Sequence, residues 1–127
     1  MSKSPAGLTL AVLLCLTGVP AAGQDAARVQ PRSYRVLVDN AKVRVLEFNS
    51  RPGMGVCGVG IHSHPEHLTV LLTPAKVKVT EHGRTTVIDG KANDVFWEPA
   101  VTHEVENVSG DNVRLLIIEL KAPGKGL

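Results

Sequence analysis

The sequence between Tyr34 and Leu120 consists of short apolar segments rich in β-branched residues, and each segment ends at turn residues such as Gly, Pro, Asn and Asp. Lys76–Thr80 alternates polar and apolar side chains, as a strand with one solvent-exposed face does, and Glu81–Arg84 is typical of a hairpin turn. Short strands at regular spacing, without helical periodicity, predict an antiparallel all-β sandwich or barrel. The predicted strands are Tyr34–Val38, Lys42–Phe48, Val56–His64, Leu68–Leu72, Lys76–Thr80, Thr85–Ile88, Asp94–Trp97, His103–Asn107 and Val113–Leu120.

Residues 1–23 have the pattern of a secretory signal peptide. Lys3 precedes an apolar run, Leu8–Leu16, and small residues lead to a cleavage position after Gly23. We therefore expect an exported protein, secreted or periplasmic. The apolar run is shorter than the roughly 18 residues that a transmembrane helix needs, and no later stretch approaches that length, so no membrane span is expected in the mature chain. Retention as a membrane anchor is less favoured, and so is a lipoprotein signal at Cys15, because the preceding leucine is larger than usual there.

The remaining chain, about a hundred residues, suits a single domain. We assign residues 24–33 to a polar leader that we expect to be mobile, residues 34–121 to the β domain and residues 122–127 to a C-terminal tail. Cys57 is the only cysteine after the signal peptide, so an internal disulfide is excluded. The cysteine pair that is often seen in immunoglobulin-like sandwiches is therefore absent from the expected mature chain. Burial of Cys57 is favoured over a role as a ligand, an intermolecular bridge or a reactive thiol.

Charge and composition bear on the partners of the protein. The sequence has 14 Lys and Arg residues against 12 Asp and Glu residues, and aromatic residues make up only 3%. This balance, without a basic stripe, argues against nucleic-acid binding and leaves a small-molecule ligand or substrate as the expected partner. Because unpaired strand edges attract partners, Tyr34–Val38 or Val113–Leu120 could join two copies in a homodimer.

Four of the five histidines form a pattern that predicts a metal site. Residues two apart on a strand share a face, so His62 and His64 project together, and a proline breaks the strand before His67. His103 follows a proline-bounded turn, too far along the chain for a local zinc finger but suited to the second unit of a closed barrel. Four neutral imidazoles favour a divalent transition metal, Zn, Cu, Ni, Fe or Mn, over Mg or Ca.

Several polar residues near these histidines have weaker assignments. Glu66 is an alternative ligand if the neighbouring His67 points outward. Glu98 and Glu104 are expected to be solvent-exposed or to lie at the rim of the site. Asn107 is expected to fix a turn or a hydrogen bond behind the ligands, without contacting the metal. No catalytic residue is assigned.

The histidine pattern resembles the two motifs of the cupin superfamily over roughly Val43–Lys121. His62 and His64 match the His-x-His pair of the first motif, and His67 occupies the place of its usual glutamate. The matching residues of the second motif are Pro99, His103 and Asn107. The positions at which the family commonly has glycine are occupied by Pro74, Asn93 and Val101, and the proline-to-histidine spacing is one residue shorter than in the strictest form.

This resemblance implies an antiparallel double-stranded β-helix, or jelly-roll barrel, with a small-molecule site inside it and open positions on the metal. Dioxygenase-like chemistry is the first activity it suggests. A non-catalytic ligand-binding or sensor domain is the alternative, and a sugar isomerase is a further one. Without an evident general base, oxygen chemistry or binding is favoured over hydrolysis. The side chains expected to shape the pocket are Val70, Leu72, Phe96 and Ile118. Phe96 and Trp97 are expected to pack within the barrel, with the mouth of the cavity as the alternative position for one of them.

Overall fold

Nine strands and one short helix make up the described part of the chain. The structure is a computed structural model that describes residues 25–55 and 60–122. The elements are helix α1 (Ala26–Val29) and strands β1 (Tyr34–Asp39), β2 (Val43–Ser50), β3 (His62–His64), β4 (His67–Leu71), β5 (Ala75–Glu81), β6 (Arg84–Gly90), β7 (Val95–Glu98), β8 (Val101–Asn107) and β9 (Val113–Leu120). The predicted signal peptide, Cys57 and residues 123–127 lie outside the described ranges. Within those ranges, no helix has the length and apolar character needed to cross a membrane.

These strands form two sheets with the orders β1-β2-β9-β4-β7 and β3-β8-β5-β6. Each pairing between named strands of the described residues is antiparallel. The predicted antiparallel all-β fold is therefore confirmed. Each predicted strand has a counterpart in the structure, in most cases with small changes at its ends. The exception is the predicted strand Val56–His64, of which β3 covers only His62–His64, and residues 56–59 are not described.

Strand β9 lies in the middle of the five-stranded sheet. The side chains of Val113, Leu115 and Ile117 are buried, and those between them are more exposed, as the two-residue period of a strand requires. β9 pairs with β2 on one side and β4 on the other. The expectation that Val113–Leu120 could serve as an edge strand is therefore wrong, because its nearly continuous apolar sequence belongs to a strand covered on both sides.

The hairpin between β5 and β6 has the predicted turn at Glu81–Arg84. Its two central residues, His82 and Gly83, have φ angles of 48° and 73°. Positive φ at both central positions is the geometry of a type I′ turn, whose twist matches that of the flanking strands. The side chain of His82 is 86% exposed there.

The segment assigned to a mobile leader contains an ordered element that the sequence did not predict. Asp25 caps the four-residue helix α1 by accepting hydrogen bonds from the backbone N–H groups of Ala27 and Arg28. Ala26 is fully buried and belongs to the hydrophobic core. A single turn is too short to show helical periodicity, so only the Asp25 cap signals it in the sequence.

Candidate metal centre

Strands β3 and β8 bring three of the predicted ligands together. His62 and His64 lie on the same face of β3, and His62 is directly opposite His103 on β8. All three residues are buried. The ring centroids of His62 and His103 are 4.8 Å apart, those of His62 and His64 are 5.0 Å apart, and those of His64 and His103 are 5.7 Å apart. The pairing of the two strands thus places side chains 41 residues apart in sequence, at positions 62 and 103, in one cluster.

The free nitrogens of these three rings point to a bound cation. One ligand atom from each of His62, His64 and His103 lies within 4.8 Å of the others. In the described part of the protein, their Nε2 atoms are buried without a hydrogen-bond partner. An unpaired buried polar atom costs about 1–3 kcal/mol, so three at one point is unfavourable unless a ligand binds them. The donor set therefore fits a divalent transition metal.

Burial keeps two of these imidazoles neutral. It lowers the pKa of His62 to about 4, with a smaller contribution from the neighbouring His64 and His67. Burial likewise lowers the pKa of His103 to about 3, assisted by repulsion from His62 and His64. Since a metal binds the neutral ring, both side chains are in the ligating form at neutral pH without a proton having to leave.

His67, the fourth predicted ligand, lies beside this cluster with both nitrogens engaged. Its ring centroid is 5.0 Å from that of His64. Nδ1 donates to the carbonyl oxygen of Pro65 at 2.7 Å, and Nε2 is 3.3 Å from Oε2 of Glu98. Burial alone lowers the pKa of His67, but the hydrogen bonds to Glu98 and Pro65 outweigh it and the pKa is raised. The role of His67 as a ligand stays a prediction.

The two neighbouring carboxylates differ in position. Glu66 is exposed whereas His67 is buried, so the condition for Glu66 to replace His67 as a ligand is not met. Glu98 was expected to be solvent-exposed or to lie at the rim of the site. Its side chain is 32% exposed and lies at the rim, where it also lines the cavity next to His67 and His103. The hydrogen bond from His67 lowers the pKa of Glu98, so its carboxylate is ionised at neutral pH.

A buried carboxylate that sequence reasoning missed stands behind His64. Glu119 on β9 is 2% exposed, and its Oε1 accepts a hydrogen bond from Nδ1 of His64 at 3.0 Å. Its Oε2 accepts from Nε of Arg44 on β2 at 2.6 Å. Burial raises the pKa of Glu119, but the bonds from His64 and Arg44 outweigh this effect and lower it. The sequence contained a signal, since Glu119 is the one charged residue within the apolar run from Leu115 to Leu120.

A cavity of about 60 Å³ adjoins the cluster, with His67, Glu98 and His103 at its polar end. Its described apolar walls include Leu71, Val77, Ile88, Phe96, Val105 and Leu115. The prediction for Phe96 is confirmed.

Three of the four residues predicted to shape the pocket are absent from the described cavity wall: Val70, Leu72 and Ile118. Each is one position out of phase with a residue that faces inward, because β4 presents Thr69 and Leu71 to the cavity and β9 presents Leu115. Trp97 is 54% exposed and does not pack within the barrel, since it alternates with the inward-facing Phe96.

Asn107 has the role that the sequence predicts. It is buried, and its amide nitrogen donates to the carbonyl oxygen of Asp111 at 3.0 Å. Its Oδ1 accepts from the backbone N–H of Ser109 at 2.9 Å. These bonds fix the turn between β8 and β9.

Comparisons with known proteins identify the fold. No protein-family model matches the chain, and no curated protein matches it significantly. A cupin domain from Bordetella pertussis Tohama I is 25% identical with a TM-score of 0.64, covering 70% of this chain and 92% of that one. An RmlC-like cupin family protein with a double-stranded β-helix fold from Methanocaldococcus jannaschii is 13% identical with a TM-score of 0.59, covering 72% and 82%.

A cupin protein from Bacteroides fragilis is 21% identical with a TM-score of 0.54, covering 74% of this chain and 80% of that one. The fold and the three-histidine cluster together support a metal-binding domain of the cupin type. The architecture thus confirms the resemblance that the histidine spacing predicts, because this chain has the double-stranded β-helix fold of cupin proteins.

Proposed function

We propose that this protein is an exported metal-binding cupin that holds a small molecule beside a divalent transition metal ion and catalyses a dioxygenase-like reaction. The observation that carries the proposal is the cluster of three buried Nε2 atoms that lack partners among the described residues, next to an apolar cavity. A metal ion would satisfy all three atoms at once. The signal-peptide pattern of residues 1–23 supports export.

In this proposal His62, His64 and His103 hold the ion and His67 is its fourth ligand. The contact with Glu98 raises the pKa of His67, and an ion that binds Nε2 must displace this contact. His67 therefore contributes less to metal affinity than the other three. Imidazole ligands suit Zn, Cu, Ni, Fe or Mn.

The bound ion would supply Lewis-acid character and a meeting point for dioxygen and a chelating substrate. The chain supplies the remaining functions. The apolar walls, including Val77, Phe96 and Leu115, exclude water and accept an apolar substrate body. The ionised Glu98 carboxylate lies at the cavity rim, where it can accept a hydrogen bond or a proton from a substrate hydroxyl once the ion has displaced its contact with His67.

The cavity lining also bears on the alternatives. A sugar carries several hydroxyl groups, and each would lose a hydrogen bond to water on entering a cavity walled mainly by aliphatic side chains. The sugar isomerase is therefore disfavoured. A non-catalytic ligand-binding domain needs only the apolar cavity and the metal, and the experiment below separates it from the enzyme.

The test begins with the metal content of the purified protein. We expect one equivalent of a transition metal, lost in His62→Ala and His103→Ala, weakened less in His67→Ala, and retained in His82→Ala, which alters an exposed histidine. Absence of stoichiometric metal in the unmodified protein would overturn the metal site. Oxygen uptake with diketone, flavonol-like or thiol substrates would then support the enzyme. A ligand-induced rise in melting temperature without turnover would instead establish a binding protein.

A further inference from the structure

The carboxylate of Asp25 joins helix α1 to strand β2. Its Oδ1 caps the helix by accepting from the N–H groups of Ala27 at 3.0 Å and Arg28 at 3.3 Å. Its Oδ2 lies 2.5 Å from Nη2 of Arg44. One side chain thus orders the helix and positions a guanidinium group at the same time.

Arg44 continues this connection to the metal centre. It donates to Oε2 of Glu119 at 2.6 Å, and Oε1 of Glu119 accepts from Nδ1 of His64 at 3.0 Å. Side-chain exposure falls along this series, from 21% for Asp25 and 19% for Arg44 to 3% for Glu119 and 0% for His64. The four groups form a continuous chain of charge-assisted contacts from the N-terminal helix to a candidate ligand, and such contacts are strongest where water is excluded.

The backbone makes a second, independent connection. Asp25 forms a parallel bridge with Ser63, the residue between His62 and His64. Among the described strands β3 has only three residues and pairs with β8 alone, so its outer edge receives support from this bridge. Ala26, the next residue, is fully buried in the core.

The contact with Glu119 determines which nitrogen of His64 is available. An ionised carboxylate can only accept hydrogen bonds, and Glu119 already accepts one from Arg44. The hydrogen on His64 must therefore be on Nδ1, which leaves the lone pair of Nε2 directed at the cluster. Partners of this kind fix the tautomer and ring orientation of metal-ligating histidines.

We propose that the N-terminal segment, residues 25–30, positions one ligand and one strand of the metal centre. Through Arg44 and Glu119 it holds His64 as the Nδ1–H tautomer in the ligating orientation, and through the bridge to Ser63 it fixes strand β3. This inference rests on the proposed metal site. Asp25, Arg44 and Glu119 are positioning residues that act through His64 and do not contact the ion.

The first test measures the affinity of the purified protein for Zn²⁺ by competition with a chelator. We expect Glu119→Gln to weaken binding roughly 10- to 100-fold. Asp25→Ser preserves a helix cap but removes the ion pair with Arg44, and should weaken binding about fivefold, since a partly exposed pair contributes about 1 kcal/mol. Asp39→Asn is the matched control, because it removes an exposed ion pair with Lys121.

The second test needs no metal. Nitrogen-15 NMR of the metal-free protein should show His64 as the Nδ1–H tautomer, and Glu119→Gln should convert it to a mixture. Hydrogen exchange at β3 should accelerate in Asp25→Ser while the β5–β6 hairpin is unchanged. Unaltered Zn²⁺ affinity in both variants, with an unaltered tautomer, would overturn the inference. If the unmodified protein binds no metal, the proposed function fails, and the tautomer and exchange results still decide whether the segment positions His64.

Discussion

At the scale of single residues, the buried histidines make the protein sensitive to acid. A histidine whose pKa is lower in the folded state binds fewer protons than it does when unfolded, where its pKa is about 6.5. Unfolding then takes up protons, so stability falls as the pH drops below 6.5 and reaches its full loss below the folded pKa. His62, with a pKa of about 4, and His103, with a pKa of about 3, both act in this direction. His67 acts in the opposite direction, because its pKa is raised.

We therefore predict that the metal-free protein loses stability between pH 6.5 and pH 4, with His62 and His103 each contributing on the order of 1–3 kcal/mol. Urea unfolding at a series of pH values, with a chelator present, measures the effect. In His103→Gln, which cannot take up a proton, the dependence on pH should be shallower. A slope identical to that of the unmodified protein would show that burial of His103 does not penalise its charged form.

The sequence identified the histidines but not the residues that orient them. His62, His64 and His103 could be predicted because their residue type and spacing carry the chemistry. Glu119 could not be paired with His64 from the sequence, since that contact depends on β9 lying between β2 and β4. Glu98 was placed at the rim, yet its contact with His67 needs the pairing of β4 with β7.

At the scale of the elements, strand positions were predicted more accurately than strand faces. Turn residues define the ends of β4 and β9, but a run such as Leu115–Leu120 is apolar at nearly every position and does not reveal which side chains point inward. The structure buries Leu115 and Ile117 and turns Ile118 away, so the predicted pocket residue was on the wrong face. Alternating strands such as β5 contain this information in the sequence.

A pair of substitutions on β9 tests this assignment of faces. Ile117 is fully buried, so Ile117→Ala should lower the free energy of unfolding by about 2–5 kcal/mol. Ile118→Ala on the opposite face of the same strand is the control and should cost less, because Ile118 is only partly buried. Chemical denaturation of both variants gives the comparison. Equal losses, or a larger loss for Ile118→Ala, would contradict the observed orientation.

At the scale of the whole molecule, the two sheets assemble one site from distant parts of the chain. β3 and β8 of one sheet supply the three histidines, and β9 of the other supplies the carboxylate behind them. The spacing of the histidines predicted that two units of a barrel would meet. The contribution of residues 25–30 was not predictable in the same way, because it rests on a single helical turn and an ion pair with Arg44.

The same architecture supports a last proposal, that two copies associate through strand β1. β1 is at the edge of the five-stranded sheet, and Val36, Leu37 and Val38 are 52%, 43% and 43% exposed. An edge strand with exposed apolar side chains can pair with another copy and continue the sheet. In the pairing of β1 with β2, Val36 and Val38 have partners on β2 whereas Leu37 lies in the irregularity between them. Leu37 can therefore be substituted without removing a β1–β2 residue pair.

We expect a dimeric mass for the unmodified protein in light scattering and a monomeric mass for Leu37→Lys, because a charge at a paired apolar edge would lose its hydration. Val87→Lys is the matched control. Val87 is 55% exposed on β6, at the edge of the other sheet, and its substitution should leave the dimer intact. A monomeric mass for the unmodified protein would refute association, whereas loss of the dimer only in Val87→Lys would assign it to the four-stranded sheet.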